Sequence, residues 1–149
     1  MIFSVTNLGP VEEVKMNFDG KTLVVGPNSS GKTMISTAFY FINFPISFSP
    51  LSTDNELSLE VEEGINEIEV SLKDLVSEKA LKGVIGERIR TLFNAEPKDL
   101  ITIGESKGFI ENDLISVELN SDNHVGVTLK EDKRMKILVN FKRTEEVKF

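Results

Sequence analysis

Hydrophobic and polar residues alternate in several short segments of the chain, and this alternation predicts β-strands with one buried face. The first two such segments are residues 2–7 and 13–18, which are joined by Gly9-Pro10. A short β-branched run at residues 21–25 predicts a third strand, buried on both sides. We therefore expect an N-terminal hairpin that is followed by a buried strand.

Helical spacing of apolar residues appears in two later segments. After residue 33, apolar positions recur at Ile35, Ala38, Phe39 and Ile42. The clearest helix spans residues 77–94, although Gly83 and Gly86 lie inside it. Its apolar face is formed by Leu81, Val84, Ile85, Ile89, Leu92 and Phe93. Residues 98–100 are expected to add one further turn.

The remaining segments predict further strands. Residues 57–62 and 65–72 read as short strands around Glu63-Gly64, and the second of them is also consistent with the start of a helix. In the last third, apolar residues recur with period two in three segments: 115–119, 125–129 and 137–141. We expect three successive antiparallel strands there, with turns at 121–123 and 131–133.

Composition limits the class of protein. With 149 residues, 40% of them apolar, the chain is one domain or part of one. The net charge of −7 gives no broad basic field for nucleic acid, and the absence of cysteine excludes disulfides and thiolate metal sites. The N-terminus lacks the basic start and apolar stretch of a signal peptide, so we expect a cytoplasmic protein.

One uncharged stretch, residues 33–53, has the length of a membrane span. Pro45 and Pro50 would break its second half, and its first half follows directly on a different motif. We therefore expect a buried helix followed by an apolar loop, and no membrane association.

That motif is the segment that fits G-x-x-x-x-G-K-[ST], the P-loop pattern. Its residues are Gly26, Pro27, Asn28, Ser29, Ser30, Gly31, Lys32 and Thr33. The segment lies between a predicted strand and a predicted helix, which is the context that a phosphate-binding loop requires. The alternative is a Gly-rich turn without nucleotide, which the order of strand, loop and helix makes the weaker reading.

Each residue type in the pattern has a physical purpose. Gly26 and Gly31 permit backbone conformations that a Cβ would obstruct, so successive N–H groups can surround a phosphate. Lys32 can reach the β- and γ-phosphates and is the candidate catalytic residue, while the Thr33 hydroxyl is the candidate magnesium ligand. The predicted cofactors are a nucleoside triphosphate, ATP or GTP, and Mg²⁺.

The surroundings of the loop resemble a known family. Residues 5–11 read VTNLGPV, an amphipathic strand follows, and residues 23–25 lead into GPNSSGKT. This order resembles the N-terminal segment of the ABC-type ATPases related to SMC, RecF and OLD proteins, in which the Pro27-Asn28 pair is typical. Residues 100–118 resemble the point where those proteins enter an antiparallel β-subdomain.

The resemblance implies an α/β fold, a P-loop NTPase core with an added antiparallel β-subdomain, present here as the N-terminal lobe. Its parts would be residues 1–44, with the strands, loop and helix, then 45–106, and the β segment 107–149. The implied activity is an ATP-dependent clamp in which two heads dimerise on two ATP molecules, with Asn28 near the γ-phosphate. The implied process is switching on DNA in repair, chromosome maintenance or defence.

The chain also departs from that family. No apolar run ends in Asp-Glu as a Walker B strand does, there is no LSGGQ-like signature, and the chain contains no Gln for a Q-loop. The carboxylates that support magnesium and position water are therefore unassigned.

Two explanations fit this gap. The chain is the N-terminal lobe of an ATPase that a C-terminal half or partner subunit completes, or it is a nucleotide-sensing module with little hydrolysis of its own. We favour the first because Lys32 and Thr33 are kept. A P-loop kinase is a third class, which the lack of an Arg-rich lid disfavours.

Other features have plainer interpretations. His124 lies in a predicted turn without partners at metal-ligand spacing. Glu60, Glu62 and Glu63 are expected to form a solvated strand face rather than a metal site. The basic residues of the 77–94 helix could touch DNA, but interleaved glutamates favour a salt-bridged helix surface. Those basic residues are Lys79, Lys82, Arg88 and Arg90.

Overall fold

The computed structural model describes residues 1–18, 20, 22–28, 30–43, 62–71, 78–130 and 134–142. Its helices are α1 (Lys32–Asn43) and α2 (Glu78–Phe93), with a 3₁₀ turn at Pro97–Leu100. Its strands are β1 (Ile2–Leu8), β2 (Val11–Asn17), β3 (Gly64–Ser71), β4 (Lys107–Glu111), β5 (Ile115–Asn120), β6 (Val125–Leu129) and β7 (Arg134–Phe141).

Five strands form one antiparallel sheet in the order β2-β1-β4-β5-β6. Its buried face carries an apolar row that crosses four strands, because Val5 pairs with Ile110, Ile110 with Val117, and Val117 with Val127. These four side chains are at most 3% exposed. Directly opposite residues share a face of a sheet, so the row fixes which side of every strand faces the core.

Both helices pack on that apolar face and share one core with it. From α1 the core receives Ala38, Phe41 and Ile42, while α2 contributes Leu81, Ile85 and Ile89. The spacings of three and four residues place each set on one side of its helix. The result is a two-layer arrangement, with helices on one face of the sheet and polar residues on the other.

Most predicted elements with described residues are confirmed. The hairpin of β1 and β2 turns at Gly9-Pro10, and the helix predicted at 77–94 is α2. The alternating segments at 65–72, 115–119 and 125–129 correspond to β3, β5 and β6. The predicted strand at 57–62 falls almost wholly outside the described residues, as do the apolar loop after residue 43 and Glu60.

The prediction of three successive antiparallel strands in the last third is wrong for the third strand. Instead of pairing with β6, β7 pairs with β3 in a separate two-stranded ribbon. Cross-strand ion pairs favour this pairing, with Lys136 Nζ 3.3 Å from Glu67 and Arg134 at 3.7 Å from Glu69. The periodicity of one segment does not indicate which distant strand it pairs with.

The prediction of a strand at residues 21–25 is also wrong for its described part. Residues 22–25 belong to no strand, and Leu23 and Val25 are 85% and 78% exposed. A strand is defined by hydrogen bonds to a neighbour, and no described strand lies beside this segment. All described strand pairs are antiparallel, so the P-loop core of the predicted fold class stays a prediction.

Both arginines of α2 face other groups of this chain, whereas Lys79 and Lys82 are exposed. Arg90 lies 3.4 Å from Glu87 and 2.9 Å from Glu96, and the Arg88 guanidinium stands over the ring of Tyr40.

Neither described helix has the length and apolar character needed to cross a membrane.

A small polar network connects the end of α2 with the turn between β5 and β6. Hydrogen bonds from Asn123 Nδ2 and Arg90 Nε, both 2.9 Å long, hold the pKa of the Glu96 carboxyl below its ordinary value of 4.5. A pKa that is lower in the folded than in the unfolded chain stabilises the fold above the unfolded value. This stabilisation is lost as the pH falls through the folded value.

We predict that Glu96→Gln lowers the midpoint of thermal unfolding at pH 7 and that the difference from the wild type shrinks toward pH 3. Glutamine resembles the protonated carboxyl, so the two chains become equivalent in acid. Glu12→Gln is the control, since Glu12 is exposed on β2, at the opposite edge of the sheet from β6. A Glu96→Gln difference independent of pH would contradict the role of this carboxylate.

Candidate functional site

The predicted phosphate loop curls back on itself immediately before α1. Gly31 has φ +98°, a conformation that favours glycine, and α1 begins at the next residue. The Ser30 hydroxyl donates a 2.7 Å hydrogen bond to the Pro27 carbonyl, so two residues of the loop are linked to each other. Ser29 lies outside the described residues.

The lysine of the motif lies across this loop. Lys32 Nζ donates a hydrogen bond to the carbonyl oxygen of Gly26, six residues earlier. A Cβ at Gly26 would lie 2.9 Å from the Ser30 hydroxyl, so a side chain there would displace this hydroxyl from its bond to Pro27 O. The ammonium group is therefore held at the loop rather than extended into solvent, and it adds a positive charge beside the start of α1.

The start of α1 supplies further groups suited to an anion. The first helical hydrogen bond of this turn runs from Ile35 N to Gly31 O at 2.9 Å, so the amides of Lys32, Thr33 and Met34 precede it. Amides in this position have no partner within the helix and lie at the positive end of its dipole. An anion placed there would accept several backbone hydrogen bonds.

An open cleft of about 380 Å³ borders these amides. Its lining is Pro10, Asn28, Gly31, Lys32, Thr33 and Met34. Four of the predicted site residues are thus brought together, and the structure adds Pro10 and Met34. The sequence predicted neither residue as part of the site. Pro10 belongs to the β1–β2 turn, and only tertiary packing brings it to the loop.

The β1–β2 turn supports the loop by direct contact. A Cβ on Gly31 would lie 2.5 Å from Val11 Cγ2 and 3.2 Å from Pro10 Cγ, so the turn leaves no room for a side chain at Gly31. Gly9 lies against the flexible end of Met34, with Met34 Cε 2.9 Å from the position of a Cβ. Gly31 is therefore the position at which a glycine is needed for the loop to lie against the turn.

No acidic side chain belongs to the described lining of the cleft beside the loop. No group of three or more His, Asp or Glu side chains with metal-binding proximity occurs among the described residues. His124 is 83% exposed and pairs with Asp122, with Nδ1 at 3.0 Å from Oδ2. The Thr33 hydroxyl remains the candidate magnesium ligand that the sequence predicts.

A second cleft, of about 500 Å³, lies over the polar face of the sheet. Its Glu111 carboxylate already accepts hydrogen bonds from Ser4 at 3.3 Å and Ser116 at 2.5 Å, and Lys130 is 3.7 Å away. These partners satisfy the carboxylate, so the loop at the start of α1 is the stronger candidate.

Comparison of the chain with protein-family models, with curated proteins and with solved structures returns no match. The case for a function therefore depends on the geometry of the loop and on the residues within it.

We predict that Gly31→Ala lowers the free energy of unfolding by about 1–3 kcal/mol, because it combines left-handed strain with overlap against Val11. The matched control is Gly83→Ala in α2, where a Cβ meets no atom within 4 Å. Removing this helical glycine is expected to stabilise the chain by about 0.5–1 kcal/mol. Urea unfolding of both variants measures the contrast, and equal stabilities would contradict the packing described for Gly31.

Proposed function

We propose that this chain is the ATP-binding lobe of a P-loop ATPase of the ABC type. The observation that carries the proposal is the hydrogen bond from Lys32 Nζ to Gly26 O across a loop that ends at the first turn of α1. A lysine held in this way, beside free helix N-terminal amides, is suited to a chain of phosphates. Few other classes of ligand need both a lysine and helix N-terminal amides.

In this proposal the parts of the loop have separate tasks. The amides at the start of α1 bind phosphate oxygens, and Lys32 neutralises the β- and γ-phosphates. Mg²⁺, when bound, would draw charge from the same phosphates, and the Thr33 hydroxyl would be its ligand from this chain. Asn28 lines the cleft, and the family resemblance implies a place for it near the γ-phosphate.

Hydrolysis needs carboxylates that the described residues do not place at the loop. We propose that a C-terminal half or partner subunit brings them. The exposure of Leu23 and Val25 supports this, because Thr22 and Val24 line a cleft against α1 while the two alternate side chains face outward. A partner that laid a strand beside this segment would cover both.

Dimerisation on ATP and switching on DNA, in repair, chromosome maintenance or defence, are parts of the proposal that come from the sequence resemblance. The second candidate, a nucleotide-sensing module, is favoured by the same lack of carboxylates. The two differ in what completes the site: the first needs a partner with a Walker B strand, whereas the second acts by recruiting a partner when ATP is bound.

We predict that Lys32→Ala weakens binding of Mg-ATP about 10- to 100-fold, the effect of losing a charge-assisted contact worth about 1.5–3 kcal/mol. Isothermal titration calorimetry measures this affinity. Lys82→Ala, which removes an exposed lysine from α2, is the control and is expected to bind as the wild type does. Unchanged affinity in Lys32→Ala would refute the proposed nucleotide site.

We also predict that the 149-residue chain hydrolyses ATP slowly by itself and faster with a polypeptide that carries Walker B and signature motifs. Phosphate release and light scattering, with and without this polypeptide, measure turnover and the monomer–dimer equilibrium. Turnover at a normal rate by the chain alone would disprove the incomplete site. A dimer or partner complex formed with ATP but without turnover would favour the sensing module.

A further inference from the structure

The end of the β1–β2 hairpin is held by a segment about ninety residues away, 100–102. Gly9 N donates to Leu100 O at 2.7 Å, and Thr102 N donates to Asn7 O at 3.0 Å. Leu8 and Ile101 form a β-bridge between these two contacts. The backbone of 100–102 thus runs along the hairpin just before its turn.

Within this segment, Thr102 reaches the turn itself. Its hydroxyl donates a 2.8 Å hydrogen bond to Gly9 O and lies 3.4 Å from Val11 O. The two carbonyls flank Pro10, which has no N–H of its own to hold the turn. The Thr102 side chain therefore lies against the carbonyl groups on both sides of Pro10, which borders the candidate cleft.

The opposite side of the turn contacts the candidate site. Val11 and Pro10 lie against the backbone of Gly31, and Gly9 lies against Met34 in the first turn of α1. Close-packed contacts transmit a displacement because they leave no space to absorb it. Movement of the turn would thus change where the loop and the first amides of α1 lie.

We propose that Thr102 is a positioning residue for the nucleotide site. Its hydroxyl holds the Gly9-Pro10-Val11 turn against Gly31 and thereby sets the arrangement of the amides that bind phosphate. The identification of the ligand as a nucleotide rests on the proposed function, whereas the support that Thr102 gives to the loop does not. A role of this kind needs the hydroxyl group, since the methyl group of Thr102 makes neither hydrogen bond.

The test compares variants of Thr102 that keep or remove the hydroxyl. Thr102→Val keeps the shape without the donor, and Thr102→Ser keeps the donor. Thr128→Val is the matched control, because Thr128 is an exposed threonine on β6. Two readouts are needed: the dissociation constant for Mg-ATP, and amide hydrogen exchange without nucleotide at residues 35–37, the first hydrogen-bonded amides of α1.

In Thr102→Val we expect the dissociation constant to rise about 3- to 10-fold, the range for one lost neutral hydrogen bond. Exchange at residues 35–37 is expected to accelerate more than exchange at the β4–β5 core. In Thr102→Ser the dissociation constant and the exchange rates are expected to stay within about twofold of the wild type. Thr128→Val is expected to change neither quantity.

A Thr102→Val chain that is less stable overall but has wild-type affinity and wild-type exchange at residues 35–37 would overturn the proposal. Should the valine variant fail to fold, Thr102→Ala replaces it and is judged by the same readouts. If the wild-type chain binds no Mg-ATP, the proposed function fails, and the exchange measurement without nucleotide still decides the role of Thr102.

Discussion

The close approach between Gly31 and the Pro10-Val11 turn joins the candidate loop to the edge of the sheet. A Cβ at Gly31 would lie 2.5 Å from Val11 Cγ2, so this contact leaves no room for a side chain at Gly31. Below the contact, the row from Val5 to Val127 buries the sheet against α1 and α2. The position of the loop is therefore a consequence of core packing and not of the loop sequence alone.

This arrangement explains how an acidic chain could offer the proposed anion site. The net charge is −7, yet the loop gathers one ammonium group and the amides at the start of α1. Local dipoles and a single nearby charge dominate at hydrogen-bond distance, while the distant acidic residues are screened by solvent and salt. The same reasoning separates phosphate binding from a broad DNA-binding surface, which requires many basic residues.

The exposed apolar residues of the described chain are concentrated outside the shared core. Leu23 and Val25 lie before the loop, and Ile65 and Leu138 lie on the β3–β7 ribbon, with exposures between 72% and 85%. An isolated two-stranded ribbon gains little stability from its own contacts. The well-packed part of the molecule is thus the five-stranded sheet with its two helices, and the segment before the loop is where the proposed partner would add strands.

The sequence by itself determined the helices, most strands and the identity of the loop residues, because periodicity and glycine placement act over a few neighbouring positions. Tertiary structure alone decided that β7 pairs with β3, that residues 22–25 belong to no described strand, and that Pro10 borders the cleft. It also brought Thr102 to the β1–β2 turn. These features depend on contacts between residues far apart in the chain, which no local pattern encodes.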